Sequence, residues 1–425
     1  MNLRRTKVCL NADTRTIWVV SELYYPEETS TGHFMTKIAE GLGTEFPVRA
    51  LCAQPSYSRR GTRVPAREYH NGVDIWRCSS TTFNKDHLAL RVVNLVTISI
   101  SIFVTALAHF QRGDYVLVVT NPPLLPYVTM LACRLRDAKC IVRVDDVYPH
   151  VLVAAGVLKI KSIPYRILDW LTRQLYYGAE RIVVLGRDMK ELISRKMSHH
   201  HERIRVITNW ADLDLISPAP KRDNILLDEL GLTDKFIVQW AGNMGHPHEV
   251  KSLLEAMIQL RDNSDIHFLF IGSGSKRAWL ESQVKQTGLK NATFLANRPR
   301  GDQPNFLNAC DLAISSLIAG MSGISMPSRT YNILAAGKPI LAIGEPDSEL
   351  GLVIAEERVG WIVPPGQSDQ IVHAILEARA QPVRLAEMGK RGRAVVEMKY
   401  SSESVINKYI GLIKDLSVSG STANE

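Results

Sequence analysis

Short apolar runs alternate with longer helix-like stretches along almost the whole chain, and this alternation constrains the fold more than any other feature. In the first half, runs rich in Val, Ile and Leu predict strands at residues 16–21, 48–52, 73–78, 115–119, 140–144, 181–185 and 205–207. Helix-like stretches lie between several of them, at residues 34–42, 124–136 and 163–177. Because strands that alternate with helices form parallel sheets covered by helices on both faces, we predict an α/β fold.

The alternation stops at residues 209–220 (NWADLDLISPAP) and then begins again, with strands predicted at residues 236–241, 267–271, 292–295, 312–315, 340–343 and 360–363. Proline and aspartate are typical of a linker, and a chain of 425 residues is too long for one ordinary core. We therefore predict two Rossmann-like domains that face each other across a cleft. The predicted segments are residues 1–209, a hinge at 210–220, residues 221–399, a C-terminal helix at 400–417 that packs back on the N-terminal domain, and a disordered tail at 418–425.

Composition excludes some classes of function. The formal net charge of +8 favours anionic partners, yet no long basic run or basic–aromatic interleaving occurs, so we expect no nucleic-acid partner. The six cysteines show no C-x-x-C spacing, which favours a reduced compartment over a disulfide framework. The histidine run at residues 199–201 lacks metal-ligand spacing and indicates a solvated turn, so no metal site is expected.

Residues 92–108 (VVNLVTISISIFVTALA) form the one candidate for a membrane segment. The run is shorter than the about 20 residues that a spanning helix needs, and it contains Asn94, Thr97, Ser99, Ser101 and Thr105. The pattern favours a helix buried in the domain, with a helix that lies on a membrane surface as the alternative.

Residues 320–344 (GMSGISMPSRTYNILAAGKPILAIG) predict a loop, a short helix and a strand. Pro327 suits the first helical turn, Ser328 suits a cap, and Gly337 suits the position just past the helix end. A loop that enters a helix in this way presents backbone N–H groups to which phosphate can bind. An ordinary loop–helix–strand unit of the scaffold is the alternative.

Two glycine turns follow predicted strands directly, at residues 241–245 (AGNMG) and 271–274 (IGSG). Strand ends of this kind are where a parallel sheet presents backbone N–H groups to a ligand.

Together these motifs resemble the family 4 glycosyltransferases of the GT-B fold, particularly bacterial enzymes that build surface polysaccharides. The resemblance covers nearly the whole chain and is carried, in the family's order, by YYPE-x-G at residues 24–32, TNPPLL at 120–125, VDDVYP at 144–149, ITNWAD at 207–212, AGNMG, IGSG, and PSRTYNILAAGKPILA at 327–342.

The resemblance implies a glycosyltransferase that moves a hexose-type sugar from a nucleoside-diphosphate sugar to a lipid-linked or oligosaccharide acceptor, usually with retention and without a metal or other cofactor. It implies catalytic roles for Asp146, which orients the acceptor or stabilises the transition state, and for His33. A helix cap or turn residue is the alternative for Asp146, and a helix cap or loop residue is the alternative for His33. Arg329 is expected to bind the diphosphate. The residues expected to bind the donor are Gly32, Gly242, Asn243, Gly245, Gly272, Gly274, Arg298, Pro327, Ser328, Arg329 and Asn332.

The chain departs from the family's pattern at four positions. Many members carry two glutamates eight positions apart, where this chain has Ile324 and Asn332. Asn332 retains hydrogen-bonding capacity, whereas Ile324 leaves the sugar to backbone groups at neighbouring Gly323 and Ser325. Asn243 and His248 stand where the family often has Arg and Lys, so the phosphate site is expected to depend more on Arg329.

Two other functions remain open from the sequence: a nucleotide-sugar epimerase of similar architecture, and a non-catalytic sugar-nucleotide-binding partner. The expected location is the cytoplasm, and peripheral contact with the inner face of the inner membrane is left open because lipid-linked acceptors lie there.

Overall fold

The computed structural model describes residues 15–55, 63–83, 88–197 and 200–421. Its contacts divide the chain into two compact units that are interleaved in sequence. The first unit comprises Met1–Arg143, Leu175–Ile182 and Lys408–Glu425, and the second comprises Val144–Gln174 and Val183–Asn407. Residues 144–174 and 183–209, which the sequence places in the N-terminal domain, thus belong by their contacts to the second unit.

The larger sheet of the described chain has eight strands in the order β3-β4-β2-β1-β5-β6-β7-β8. These strands are β1 (Ile17–Val20), β2 (Val48–Ala53), β3 (Arg67–His70), β4 (Val73–Cys78), β5 (Tyr115–Val119), β6 (Lys139–Val144), β7 (Arg181–Val184) and β8 (Ile204–Val206). The β1–β2, β1–β5, β2–β4 and β5–β6 pairs are parallel, whereas β3 pairs antiparallel with β4 at the edge.

The second sheet has six described strands in the order β11-β10-β9-β12-β13-β14, and all five of its pairs are parallel. Its strands are β9 (Phe236–Ala241), β10 (Ile266–Ile271), β11 (Ala292–Leu295), β12 (Leu312–Ser316), β13 (Ile340–Ile343) and β14 (Gly360–Val363). Both sheets are flanked by helices, so the predicted α/β class with two Rossmann-like sheets is confirmed.

The helices up to β8 are α1 (Ser30–Leu42), α2 (Leu88–His109), α3 (Leu125–Arg136), α4 (His150–Ala154), α5 (Ile163–Gly178) and α6 (Arg187–Lys196). After β8 come α7 (Ile225–Glu229), α8 (Lys251–Gln259), α9 (Arg277–Gln286), α10 (Gln303–Asn308), α11 (Arg329–Ala335), α12 (Glu349–Glu357), α13 (Ser368–Ala380), α14 (Pro382–Lys399) and α15 (Ser402–Ser421).

Buried β-branched and aromatic side chains explain why the strands form where they do. All four residues of β1 are buried, and the indole N–H of Trp18 donates to Asp114 at 3.0 Å. In the second unit, Trp240 on β9 and Phe270 on β10 lie in one apolar cluster with Ile314 on β12. Such side chains fit a sheet that is covered on both faces.

Helix α15 contacts the first unit as predicted. The guanidinium of Arg143, which is almost fully buried, donates to the hydroxyl of Tyr409 at 2.6 Å, and Lys414 pairs with Glu45. The helix continues to Ser421, so the predicted disorder of residues 418–421 is wrong; residues 422–425 lie outside the described residues.

Helix α2 is buried on one face only. Asn94, Ile98, Ile102 and Ala106, spaced four apart, are buried, whereas Val92, Val96, Ile100 and Val104 are exposed. Within the described residues it is also the one helix that length and composition would allow to cross a membrane: mean hydropathy over Val92–His109 is 1.9, and 28% of that window is buried. The prediction of a helix buried in the domain is therefore confirmed for its inner face and wrong for its outer face.

The five described cysteines, Cys52, Cys78, Cys133, Cys140 and Cys310, are buried free thiols. Burial raises the pKa of both Cys52 and Cys310 to about 12.

Candidate functional site

The two glycine turns of the second unit pack against each other. Gly242 N–H donates to Ile271 O at 2.8 Å, and Met244 N–H donates to Ser273 O at 2.7 Å. A Cβ on Gly272 would lie 2.1 Å from Gly242 O, and a Cβ on Gly274 would lie 2.5 Å from the Met244 carbonyl. Glycine is therefore required at these two positions by the close approach of the backbones, with φ of 141° and 134°.

Arg329, the first residue of α11, reaches the first of these turns. Its Nη2 donates to Asn243 O at 2.5 Å, and its Cζ lies 5.0 Å from the ring centroid of Trp240. Its Nη1 is buried and has no hydrogen-bond partner among the described residues. Burial lowers the pKa of Arg329 to about 10, so the guanidinium remains charged at neutral pH. A buried N–H donor of a cation, without a partner, is suited to an anionic ligand.

Arg329 also contacts His248. Its Nε2 lies 3.2 Å from Arg329 Nη2, its Nδ1 lies 3.0 Å from Gly245 N, and its ring meets the Trp240 ring edge-on. Burial, with the positive charges of Arg329 and Lys276, lowers the pKa of His248 to about 3. In the neutral tautomer whose Nδ1–H donates to Gly245 O at 3.3 Å, Nε2 accepts a hydrogen bond from the guanidinium, so His248 helps to fix Arg329 in place.

Helix α11 contributes less to an anion site than its sequence suggests. It has only seven residues, and Ser328 occupies its N-cap without a side-chain capping bond. The N–H groups of Thr330 and Tyr331 already donate to Pro327 O and Ser328 O. Pro327 and Ser328 thus shape the loop and aim Arg329, while a dipole this short is weak.

The two positions of the missing glutamates differ in environment. Ile324 is buried in an apolar cluster with Leu317 and Met321, so its side chain stabilises the loop. Asn332 Oδ1, in contrast, is buried and has no hydrogen-bond partner among the described residues. A buried acceptor of this kind is matched by a hydroxyl donor, as a ribose or sugar provides.

Two carboxylates that no sequence motif marks, those of Asp188 and Glu345, hold the loop before α11. Asp188 Oδ2 accepts from Gly323 N at 2.8 Å, and the two Glu345 oxygens accept from Gly320 N and Ser322 N at 2.9 Å each. Gly323 N–H is therefore not available to a sugar, contrary to expectation. Asp188 follows β7 and Glu345 follows β13, and this position at strand ends is the signal by which both could have been found.

Asp146 lies against the same loop. It forms an isolated antiparallel bridge with Ser325, and neighbouring Val147 N–H donates to Ile324 O at 2.9 Å. Burial and the negative charge of Asp145 raise the pKa of Asp146 to about 6, with burial the larger cause, while the Ser325 side chain opposes the shift. The candidate catalytic carboxylate and the loop of Arg329 thus belong to one unit.

The segment after β11 contacts the second glycine turn. Asn297 Nδ2 donates to Ser273 Oγ at 3.0 Å, which brings residues 297–299 beside this turn. The guanidinium of Arg298, however, pairs with Asp302 and is only partly exposed. Its side chain is therefore already engaged within its own segment.

Gly32 and His33 lie in the first unit, within the first turns of α1. Thr29 caps this helix by accepting from Gly32 N at 3.2 Å, so the alternative capping role of His33 is wrong. A Cβ on Gly32 would lie 3.0 Å from both Glu27 O and Thr29 Oγ1, so the tight cap explains this glycine. His33 is partly exposed, and its ring meets Phe34 edge-on.

Comparison with known families assigns both halves of the chain. The family described as Glycosyl transferase 4-like domain matches residues 31–210, and the family described as Glycosyl transferases group 1 matches residues 225–395. A relative from Pseudomonas aeruginosa, "Probable glycosyltransferase WbjE", is 31% identical over 94% of this chain and 98% of its own length. The chain belongs to the family 4 glycosyltransferases.

A second relative of this glycosyltransferase is "Putative colanic acid biosynthesis glycosyl transferase WcaI" from Escherichia coli K12, 25% identical over 92% of this chain and 98% of the relative. Among solved structures, sucrose-phosphate synthase from Thermosynechococcus elongatus superposes with a TM-score of 0.77 at 16% identity, covering 95% of this chain and all of that one. This likeness shows the GT-B fold.

Proposed function

We propose that this glycosyltransferase moves a hexose-type sugar from a nucleoside-diphosphate sugar to a lipid-linked or oligosaccharide acceptor in bacterial polysaccharide biosynthesis. The names of the relatives support the pathway class. One observation carries the donor assignment: Nη1 of Arg329 is buried and has no hydrogen-bond partner among the described residues. The other terminal nitrogen, Nη2, donates to Asn243 O, which orients the guanidinium.

Arg329 is proposed to bind the diphosphate. A charged group without a counter-ion destabilises the folded protein, and a bound phosphate removes that penalty while gaining a charge-assisted hydrogen bond. Gly242, Asn243, Gly245, Gly272 and Gly274 form the backbone turns beside it. Arg298 already pairs with Asp302, so it is proposed to have only a supporting role near the nucleotide base of the donor.

Asn332 is proposed to bind a hydroxyl of the ribose through its buried Oδ1. Asp146 is proposed to orient the acceptor hydroxyl or to stabilise an oxocarbenium-like transition state, as carboxylates do in sugar transfer. With a pKa of about 6, Asp146 is mostly ionised at pH 7 and above, which both roles require.

Retention of the anomeric configuration and independence of metal ions are further parts of the proposal. Arg329 supplies the positive charge that a leaving diphosphate needs, and backbone N–H groups supplement it. His33 and Gly32 are proposed to act on the acceptor or on the donor phosphate. The location proposed is the cytoplasm, with peripheral contact with the inner membrane, where lipid-linked acceptors lie.

The donor assignment is tested by Arg329→Ala in a panel of nucleoside-diphosphate sugars measured by calorimetric titration. Loss of a charge-assisted contact of about 1.5–3 kcal/mol predicts a rise in donor Kd of about 10- to 150-fold. Arg384→Ala, which removes an exposed arginine paired with Glu377, is the matched control and should bind like the wild type. Unchanged donor affinity in Arg329→Ala would refute the phosphate role.

A non-catalytic sugar-nucleotide-binding partner is the second candidate, favoured by one observation: the family's first glutamate is replaced by Ile324, which is buried in an apolar cluster. Donor consumption that depends on an acceptor supports transfer. Binding without turnover over a panel of lipid-linked and oligosaccharide acceptors supports the non-catalytic partner, and donor isomerisation without acceptor would support an epimerase.

A further inference from the structure

An apolar surface lies on the second unit, where large exposed side chains recur over residues 157–171, on the turn after α4 and the first part of α5. Six large side chains there are between 38% and 74% exposed: Val157, Ile160, Ile163, Ile167, Trp170 and Leu171. Single exposed apolar residues are ordinary, whereas a contiguous group marks an interaction surface. We call these six residues the α5 surface.

Helix α5 carries apolar side chains on its outward face as well as on its inward face, where Leu175 and Tyr176 are buried. Positions 163, 167, 170 and 171 are spaced i, i+4, i+7 and i+8, so they share one face, and that face points to solvent. The polar side chain of Asp169 points inward, where it accepts from Lys196, whose side chain is 7% exposed. This buried ion pair fixes the rotation of the helix, so the apolar face cannot turn inward without breaking it.

Basic residues accompany the α5 surface. Lys159, Lys161, Arg166 and Arg173 are all exposed, and Asp169, already paired with Lys196 and Arg173, is the single acidic residue between residues 151 and 174. An apolar helix face flanked by lysine and arginine, with a tryptophan on it, has the composition of helices that lie in the interface of an anionic bilayer. A second copy of the chain is a poorer occupant, since two-fold pairing would oppose these like charges.

We propose that the α5 surface binds an anionic lipid bilayer, with α5 in the membrane plane and its basic residues at the headgroups. This inference deepens the peripheral membrane contact proposed above and rests on it. It assigns that contact to α5, a different element from α2, the described helix whose composition would allow it to cross a membrane. A membrane-held enzyme would meet a lipid-linked acceptor by diffusion in two dimensions.

The test is co-sedimentation of the full chain with vesicles of equal parts phosphatidylglycerol and phosphatidylcholine, and with phosphatidylcholine alone. Ile167→Ser/Trp170→Ser should lower the partition coefficient about tenfold or more. Val383→Ser/Met398→Ser, which removes two exposed apolar side chains from α14, is the matched control and should bind like the wild type. Lys159→Gln/Lys161→Gln/Arg166→Gln should weaken binding at low salt and reduce its salt dependence. Thermal unfolding of each variant confirms that it is folded.

Three outcomes would overturn the assignment. Unchanged binding by Ile167→Ser/Trp170→Ser, together with loss in Ile100→Ser/Val104→Ser on α2, would move the contact to α2 while leaving peripheral association intact. Failure of the wild type to bind either vesicle would refute peripheral association itself, without bearing on donor binding, which calorimetry reports separately. A dimer seen by light scattering and lost in Ile167→Ser/Trp170→Ser would make a second copy the occupant.

Discussion

Replacement of Asp146 by asparagine should make the protein more stable and less active. Burial raises the pKa of this carboxyl from 3.8 to about 6, so the folded state holds its proton more tightly than the unfolded chain does. A group with a raised pKa contributes its stability below pH 3.8 and loses it as pH rises through 6. At pH 8 the folded protein therefore carries an ionised group that its surroundings disfavour.

The size of the gain follows from the shift. About two pKa units correspond to about 3 kcal/mol for a fully shielded group, and because Asp146 is partly exposed, solvent screening reduces this to about 1–2 kcal/mol at pH 8. The gain should shrink as pH falls from 6 to 4. Turnover should fall about 100-fold or more if the carboxylate acts on the reacting groups, while donor affinity changes little.

Denaturant unfolding at pH 8 and at pH 4, together with steady-state kinetics, measures both effects. Asp262→Asn, which removes an exposed carboxylate from the same unit, is the matched control and should leave stability and turnover unchanged. Equal or lower stability of Asp146→Asn at pH 8, or a gain of the same size at pH 4, would refute the electrostatic argument. Near-normal turnover would return Asp146 to a structural role in the loop.

Two further predictions concern the glycine turns and the contact of Arg329. Gly274→Ala should lose about 2–5 kcal/mol of stability, because the new Cβ would overlap the Met244 carbonyl. Gly288→Ala should lose only about 1 kcal/mol, because Gly288 has a φ of 67° but open space around it. Thermal unfolding measures both losses, and equal losses would contradict the steric reason. The pKa of His248 is lowered from 6.5 to about 3, so the unfolded chain takes up this proton first and stability falls as pH drops below 6.5. The His248→Gln variant should therefore lose less stability than the wild type as pH falls from 6.5 to 4. Donor binding should weaken only modestly if the glutamine still orients Arg329. If the pH dependence of stability is the same in both proteins, His248 is not held neutral in the folded state.

The strands of both sheets could largely be predicted from the sequence. Strands β4, β5, β9, β11, β13 and β14 have the predicted bounds. In β5, β9 and β13 a largely apolar run of β-branched or aromatic residues ends at a polar or glycine residue. Strand β3 (Arg67–His70, REYH) was missed because it is a polar edge strand without an apolar face. Helix α1 begins four residues before the predicted start, since the capping signal is Thr29.

Site residues that lie in a sequence motif could be predicted, whereas contacts between residues far apart in the sequence could not. Arg329, Asn332 and Asp146 could be chosen from motifs, but no sequence pattern pairs Asp188 with Gly323, which lie 135 positions apart. The sequence predicts that Gly272 and Gly274 contact a ligand, whereas the structure shows that the close approach of the backbones is enough to require glycine at both positions.

The buried thiols give each unit its own reporter of opening. Cys52, Cys78, Cys133 and Cys140 lie in the first unit and Cys310 lies in the second. A thiol whose pKa is raised to about 12 reacts slowly with alkylating reagents until local unfolding exposes it to water. The labelling rate of Cys310 under native conditions therefore follows the opening of the unit that contains Arg329. If a nucleotide sugar slows the labelling of Cys310 and leaves the labelling of the first-unit cysteines unchanged, then the donor rigidifies the second unit.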